Sequence, residues 1–227
     1  MPRETFDRDL QRLEDEMLVM AGMVEEMIMD AVQSLKKQDL EGAQRVIDAD
    51  DAVNEKRFSI EADCLIAIAT QQPVASDLRI LAAVLLIITE LERMGDYAKG
   101  ISRINLMIGT DPLIKPLIDI PLMAEQVRSM LHQSVEAFME RDVEKARSIP
   151  KQDDVVDDLY NEVYRELMTF VISDPKNIDQ VNHLLWAAHN LERTADRVTN
   201  ICERVIFAVT GTMAEMDSEN SGLESLA

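Results

Sequence analysis

Apolar residues near the start of the chain recur at spacings of three and four. Leu10, Leu13, Met17, Met20 and Val24 fall on one stripe, which predicts a helix from about Thr5 to Lys37. Asp39 is placed to cap a second helix that continues to about Thr70, because a short side-chain oxygen can accept from the open N–H groups of the first turn. The segment QQPVAS interrupts the pattern, and Ser76 can cap a third helix from Asp77 to about Ile108. That helix is apolar almost all round between Leu78 and Leu91, which places it at the centre of its bundle. Gly109 to Pro121 carries three prolines and divides the chain. Three more helices follow at roughly 122–140, 142–172 and 177–209, the last two separated by SDPKN. Pro150 falls inside the middle one, where it removes a backbone hydrogen bond, so a kink or a restart just before Asp153 is expected.

The two halves repeat. A shift of 103 lays SLKKQDLEGAQRVIDADDAV over AFMERDVEKARSIPKQDDVV, so that Asp39 meets Asp142 and Asp50 meets Asp153. Beyond the next loop a shift of 100 lays TELERMGDYAKGI over HNLERTADRVTNI, matching Glu92, Arg93 and Asp96 with Glu192, Arg193 and Asp196. Two such matches in the same order define an internal repeat. The expected fold is all-α: six long helices arranged as two tandem, pseudo-symmetric three-helix bundles. Residues 1–108 form the first, 109–121 a Pro-rich linker and 122–210 the second. Residues 211–227, rich in Ser, Gly and acids, form a tail expected to be disordered.

The repeat concentrates carboxylates. Glu92 and Asp96 are four residues apart and so share a helix face, as do Asp50 and Asn54 on the preceding helix. If these helices form a hairpin about Pro73, Asp50 and Asp96 each lie 23 residues from the turn, and Asn54 and Glu92 each lie 19. The four side chains then converge. Around Pro175, Asp153 and Asp157 lie 22 and 18 residues back while Asp196 and Glu192 lie 21 and 17 forward. Crowded acids repel, so something positive must offset them: a bound cation, or Arg93 and Arg193 beside the first acid. All-oxygen donors suit Mg, Mn, Ca or iron, whereas structural zinc usually takes Cys or His. A solvated acidic face with salt bridges is the alternative reading. His189, one turn before Glu192, is either an added ligand or a packing histidine; Asp51, Glu55, Asp154 and Asp158 read as solvent-facing charge.

Composition narrows the function. Seven Gly and seven Pro in 227 residues fit a helical protein, and the 14 Met read as core filler. A formal charge of −20 repels nucleic acid and anionic lipid. The N-terminus lacks the layout of a signal peptide, and Ile80–Ile88 is too short to span a bilayer. Cys64 and Cys202 stand alone, as buried thiols of a reducing cytoplasm would. No P-loop or G-x-S-x-G motif occurs, and no E-x-x-H pair of the di-iron oxidase kind recurs in both copies, so no enzyme is expected.

QPVASDLR (72–79), ELERMGDYAKGI, NLERTADRVTNICE and MAGMVEEMIMDAV (from Met20) resemble the signatures of the PhoU family, in its order, over about Phe6 to Thr210. The resemblance implies two three-helix bundles with multinuclear sites for divalent ions (iron, Mn, Mg or Zn) on the E/D-x-x-x-D pairs. Carried over, the metal residues are Asp50, Asn54, Glu92 and Asp96, then Asp153, Asp157, Glu192 and Asp196, supported by Arg93, Arg193 and Asn200. It also implies a cytoplasmic negative regulator of phosphate-starvation signalling and phosphate uptake. Such a protein acts through contacts with the phosphate ABC transporter and its sensor histidine kinase, meets the membrane only through them, and can form a homodimer. A helical adaptor without metal is the competing function. Two positions depart from the pattern: Asn54 stands in place of an acid, and Gly100 stands where the second copy has Asn200.

Overall fold

The computed structural model describes residues 2–213 and 215–216, with side chains described from Phe6 to Met213 and for residues 215 and 216. Its helices are α1 (Pro2–Lys37), α2 (Leu40–Gln71), α3 (Ala75–Ile108), α4 (Asp119–Glu140), α5 (Val143–Ser148), α6 (Asp153–Ser173) and α7 (Ile178–Thr210). No strand occurs among the described residues. Helices α1, α2 and α3 pack on one another as a first bundle, and α4, α6 and α7, with α5, as a second.

Local chemistry sets the boundaries in parallel ways. Gln38 and its counterpart Arg141 both adopt positive φ, 53° and 58°, and turn the chain between helices. Asp39 and Asp142 follow them and cap the next helix, accepting from Gly42 N and Lys145 N at 2.9 Å each. Two boundaries differ from the sequence reading, and the break expected at Pro150 is present. Helix α3 begins at Ala75 after Val74, so Ser76 lies inside its first turn and caps nothing. Helix α4 begins at Asp119, because Pro121 in a first turn lacks only an N–H that would have no intrahelical partner there. The long fifth helix is broken: Ile149–Gln152 forms a 3-10 turn at Pro150, and α6 restarts at Asp153. The expected disordered tail lies largely outside the described residues; of the part described, Met216 donates its N–H to Glu203 Oε1 at 2.8 Å.

The bundles join along α3 and α7, which make the most extensive interhelix contact, with α1 against α4 beside them. The α3–α7 crossing is antiparallel and nearly symmetric. Glu90 meets Asn200, while a Cβ built on Gly100, the counterpart of Asn200, would approach the Asn190 amide at 3.2 Å. Asn190 is itself the counterpart of Glu90, so one contact is the image of the other. One continuous apolar core spans both bundles. It includes Met17, Met20, Val24, Ile87, Leu91 and Met94 from the first and Met123, Met130, Phe138, Leu184 and Leu191 from the second. The stripe predicted on α1 is therefore buried, Leu10 only partly so, and α3 is the central helix. Cys64 and Cys202 are buried and unbridged, and burial holds both thiols up at about 12.

Candidate metal centres

In both copies the hairpin arithmetic brings the acidic positions together. In the second bundle, Asp153 opens α6 and is 3% exposed, with Oδ1 lacking any hydrogen-bond partner. Burial first, then Asp157, Asp196 and Glu192, push its carboxyl up to about 7. Glu192 on α7 is raised too, by burial and then by Asp196, while His189 opposes the shift. Asp153, Asp157, Glu192 and Asp196 thus cluster between α6 and α7, with Asp153 buried, Asp157 and Glu192 half-buried and Asp196 exposed. Among the described residues, no lysine or arginine forms an ion pair with Asp153 or Glu192. Glu192 Oε2 lies 3.0 Å from His189 Nδ1, a charge pair only when the imidazole is protonated.

His189 is 42% exposed at its side chain rather than packed in the core. Its ring sits 6.2 Å from both Tyr160 and Trp186, the latter edge-on at 80°. Trp186 and Tyr160 escaped the sequence reading. Trp186 lies three residues before His189, one turn along the same face, and that spacing was the available signal.

The first bundle is different. Asp50 is 2% exposed on α2, and its Oδ2 accepts from Lys99 Nζ at 2.6 Å and from Asn54 Nδ2 at 3.1 Å. Arg57 lies 3.9 Å from Glu92. Burial raises the Glu92 carboxyl, with Asp96 next and Arg57 opposing; burial and then Asp50 raise Asp96, with Lys99 and Arg103 opposing. The acids have met, and so have cations that the sequence reading did not name. Lys99 is three residues beyond Asp96, and Arg57 three beyond Asn54, so both follow from helical spacing.

The supporting residues lie apart from these clusters in two cases. Asn200 donates to Glu90 Oε2 at 3.2 Å across the seam between bundles, beside Arg197 at 3.4 Å. Arg193 stacks over Tyr97, its guanidinium carbon 4.8 Å from the ring centre, and also belongs to the seam. Arg93 acts weakly on Glu92. Asp51, Glu55, Asp154 and Asp158 are exposed, as expected of solvated charge.

Chemically, the second cluster fits a hard divalent cation: four carboxylates, an orphan Asp153 oxygen like that of Asp50, and, among the described residues, no ammonium or guanidinium paired with Asp153. The side chains as they lie do not close a coordination shell, since no three His, Cys, Asp or Glu donors converge on one point among the described residues. The first cluster fits an ion poorly, because Lys99 already sits on its most buried acid.

Two tandem helical bundles of this kind, each with an acidic hairpin, define an all-α, tandem-repeat class of fold. The chain belongs to the PhoU family: the PhoU domain matches residues 17–104 and 120–205, one match per bundle. It is 35% identical over 206 residues to the phosphate-specific transport system accessory protein PhoU of Escherichia coli strain K12, covering 91% of this chain and 86% of that one. It is also 35% identical to the corresponding homolog from Clostridium acetobutylicum, covering 96% and 100%. The crystal structure of PhoU from Pseudomonas aeruginosa superposes with a TM-score of 0.85 at 33% identity, covering 91% of this chain and all of that one. PhoU proteins of this kind are accessory and regulatory components of phosphate transport. No helix among the described residues is long and apolar enough to cross a membrane.

Proposed function

We propose that this chain is a metal-dependent negative regulator of phosphate uptake, not an enzyme. It represses the phosphate-starvation response in the cytoplasm when phosphate is ample, through contacts with the phosphate ABC transporter and its sensor histidine kinase. The observation that carries the metal dependence is the second cluster: Asp153 is buried among acids, with no ammonium or guanidinium of the described residues paired to it. The relatives' names as phosphate-transport accessory proteins carry the biological setting.

Asp153 and Asp157 come from α6, and Glu192 and Asp196 from α7. Together they would hold one or more divalent ions, of which iron, Mn, Mg and Zn are the candidates. A bound ion would supply the positive charge that draws these two helices together. Without it, mutual repulsion across α6 and α7 loosens the surface they present. The residues themselves do no covalent chemistry; their work is to fix a helix pair in one arrangement.

The test replaces Glu192 and Asp196 with Gln and Asn, which keep the side-chain shapes while removing charge. Cells carrying only this double variant should lose repression of a phosphate-starvation reporter at high phosphate, while the purified variant keeps its helicity. Full repression by a folded, metal-free variant would favour a passive helical adaptor and remove metal from the mechanism.

A further inference from the structure

The two clusters descend from one repeat, yet the two cations that hold acids of the first do not recur at the corresponding positions of the second. At the shift of 100, Lys99 corresponds to Thr199; at the shift of 103, Arg57 corresponds to Tyr160. The first bundle has an ammonium 2.6 Å from Oδ2 of its most buried carboxylate, Asp50, and a guanidinium 3.9 Å from Glu92. The second bundle has a hydroxyl and a phenol at those positions. Asn54, where the second bundle has Asp157, donates its amide to the same Asp50 oxygen that Lys99 holds. Both donate to Oδ2: Lys99 through an ammonium that cannot ligate, and Asn54 through its N–H rather than its carbonyl oxygen, while Asp50 Oδ1 is left without a hydrogen-bond partner.

We propose that Lys99 is a built-in cation that closes the first carboxylate cluster to metal, so that the chain loads divalent ions in its second bundle alone. Lys99 lies on α3 one turn from Asp96, and its side chain is 19% exposed. From there it reaches Asp50 on α2 and ties the two helices together, as an ion would. An ammonium held by the fold does not dissociate when metal is scarce. The first bundle is therefore constitutively closed, while the second changes with metal supply. One chain then carries a fixed half and a metal-responsive half.

The inference rests on the proposed function only for the loading of the second bundle, and the experiment separates the two. Mn2+ binding is measured by electron paramagnetic resonance on four proteins whose helicity has been checked. These are the wild type, E192Q/D196N, and E192Q/D196N combined with K99M or with K99R. The expected result is that E192Q/D196N loses at least nine-tenths of the wild-type Mn2+, that adding K99M restores tight binding, and that adding K99R does not. Retention of half or more of the Mn2+ by E192Q/D196N would overturn the inference, because the first cluster would then be open with Lys99 present. Failure of K99M to restore binding, in a protein that remains helical, would overturn it as well. If K99M itself unfolds the bundle, K99Q serves in its place, under the same two criteria. A wild type that binds no Mn2+ while the K99M combination does would refute the metal-dependent function and leave the role of Lys99 standing.

Discussion

Asn200 Nδ2 donates to Glu90 Oε2 at 3.2 Å, and Arg197 reaches the same oxygen at 3.4 Å. One acid of the first bundle is thus held by two side chains of the second. The pair belongs to the seam, not to a metal cluster, so its loss should separate stability from metal binding. Glu90→Ala strands a half-buried guanidinium and an amide, and is expected to lower unfolding stability by about 1–3 kcal/mol in urea titrations. Metal content should stay at the wild-type level. A fall in metal content by half or more would place Glu90 and Asn200 in the cluster after all.

The metal-free protein should lose stability as pH rises. The Asp153 carboxyl is pushed from 3.8 up to about 7 by burial and acidic neighbours, so the folded chain holds a proton that the unfolded chain has released. This preference favours the folded state at low pH, fades between about 4 and about 7, and is gone above that window. Glu192, Glu92 and Asp96 are shifted in the same direction and add to it. Protein stripped with chelator is expected to melt about 5 °C or more higher at pH 5.5 than at pH 8. Saturating Mn2+ should shrink that difference by stabilising the pH 8 sample most. Thermal melts followed by circular dichroism decide it, and a metal-free melting point that rises toward pH 8 would contradict the charge arrangement.

Trp186, the one tryptophan of the chain, offers a local reading of the second cluster. It lies edge-on to His189, whose Nδ1 is 3.0 Å from Glu192. A paramagnetic ion held by Glu192 should quench its fluorescence saturably. His189→Ala should reduce the change by less than E192Q/D196N, which should abolish it. Equal quenching of the wild type and E192Q/D196N would show that Mn2+ acts elsewhere or by collision.

Much of this was legible in residue order because helices convert spacing into geometry. Equal distances from Pro73 place Asp50 beside Asp96 whatever the side chains in between, and the same logic about Pro175 gathers the second quartet. Pro150 announced its break for the same reason, since a missing N–H has a fixed local consequence. What spacing does not convey is which neighbour a long side chain chooses. Lys99 was visible one turn from Asp96, yet only packing of α2 against α3 shows that it reaches Asp50. Arg193 adjoins Glu192 and Asn200 lies one turn beyond Asp196, yet they turn toward Tyr97 and Glu90, because the α3–α7 seam lies on that flank of the helix.

Asp50 and Asp153 are counterparts in the repeat, both almost fully buried, and the same substitution should have opposite effects on them in metal-free protein. Asp50 pairs with Lys99 at 2.6 Å. Asp50→Asn removes the nearest negative partner of a largely buried ammonium and leaves it only the more exposed Asp96, which is expected to cost about 1–3 kcal/mol. Asp153 faces Asp157, Asp196 and Glu192 instead. Asp153→Asn removes repulsion and a buried charge while keeping the side-chain volume, and is expected to stabilise the chelator-treated protein at pH 8 by about 1 kcal/mol or more. Adding Mn2+ should reverse the ranking at position 153, where the wild type gains a ligand charge that the variant lacks, and leave it unchanged at position 50. Urea titrations of the three proteins with chelator and with Mn2+ supply all six values. Destabilisation of the metal-free protein by both substitutions alike would mean that Asp153 is held by a positive group after all, and the distinction between a closed and a responsive bundle would fail.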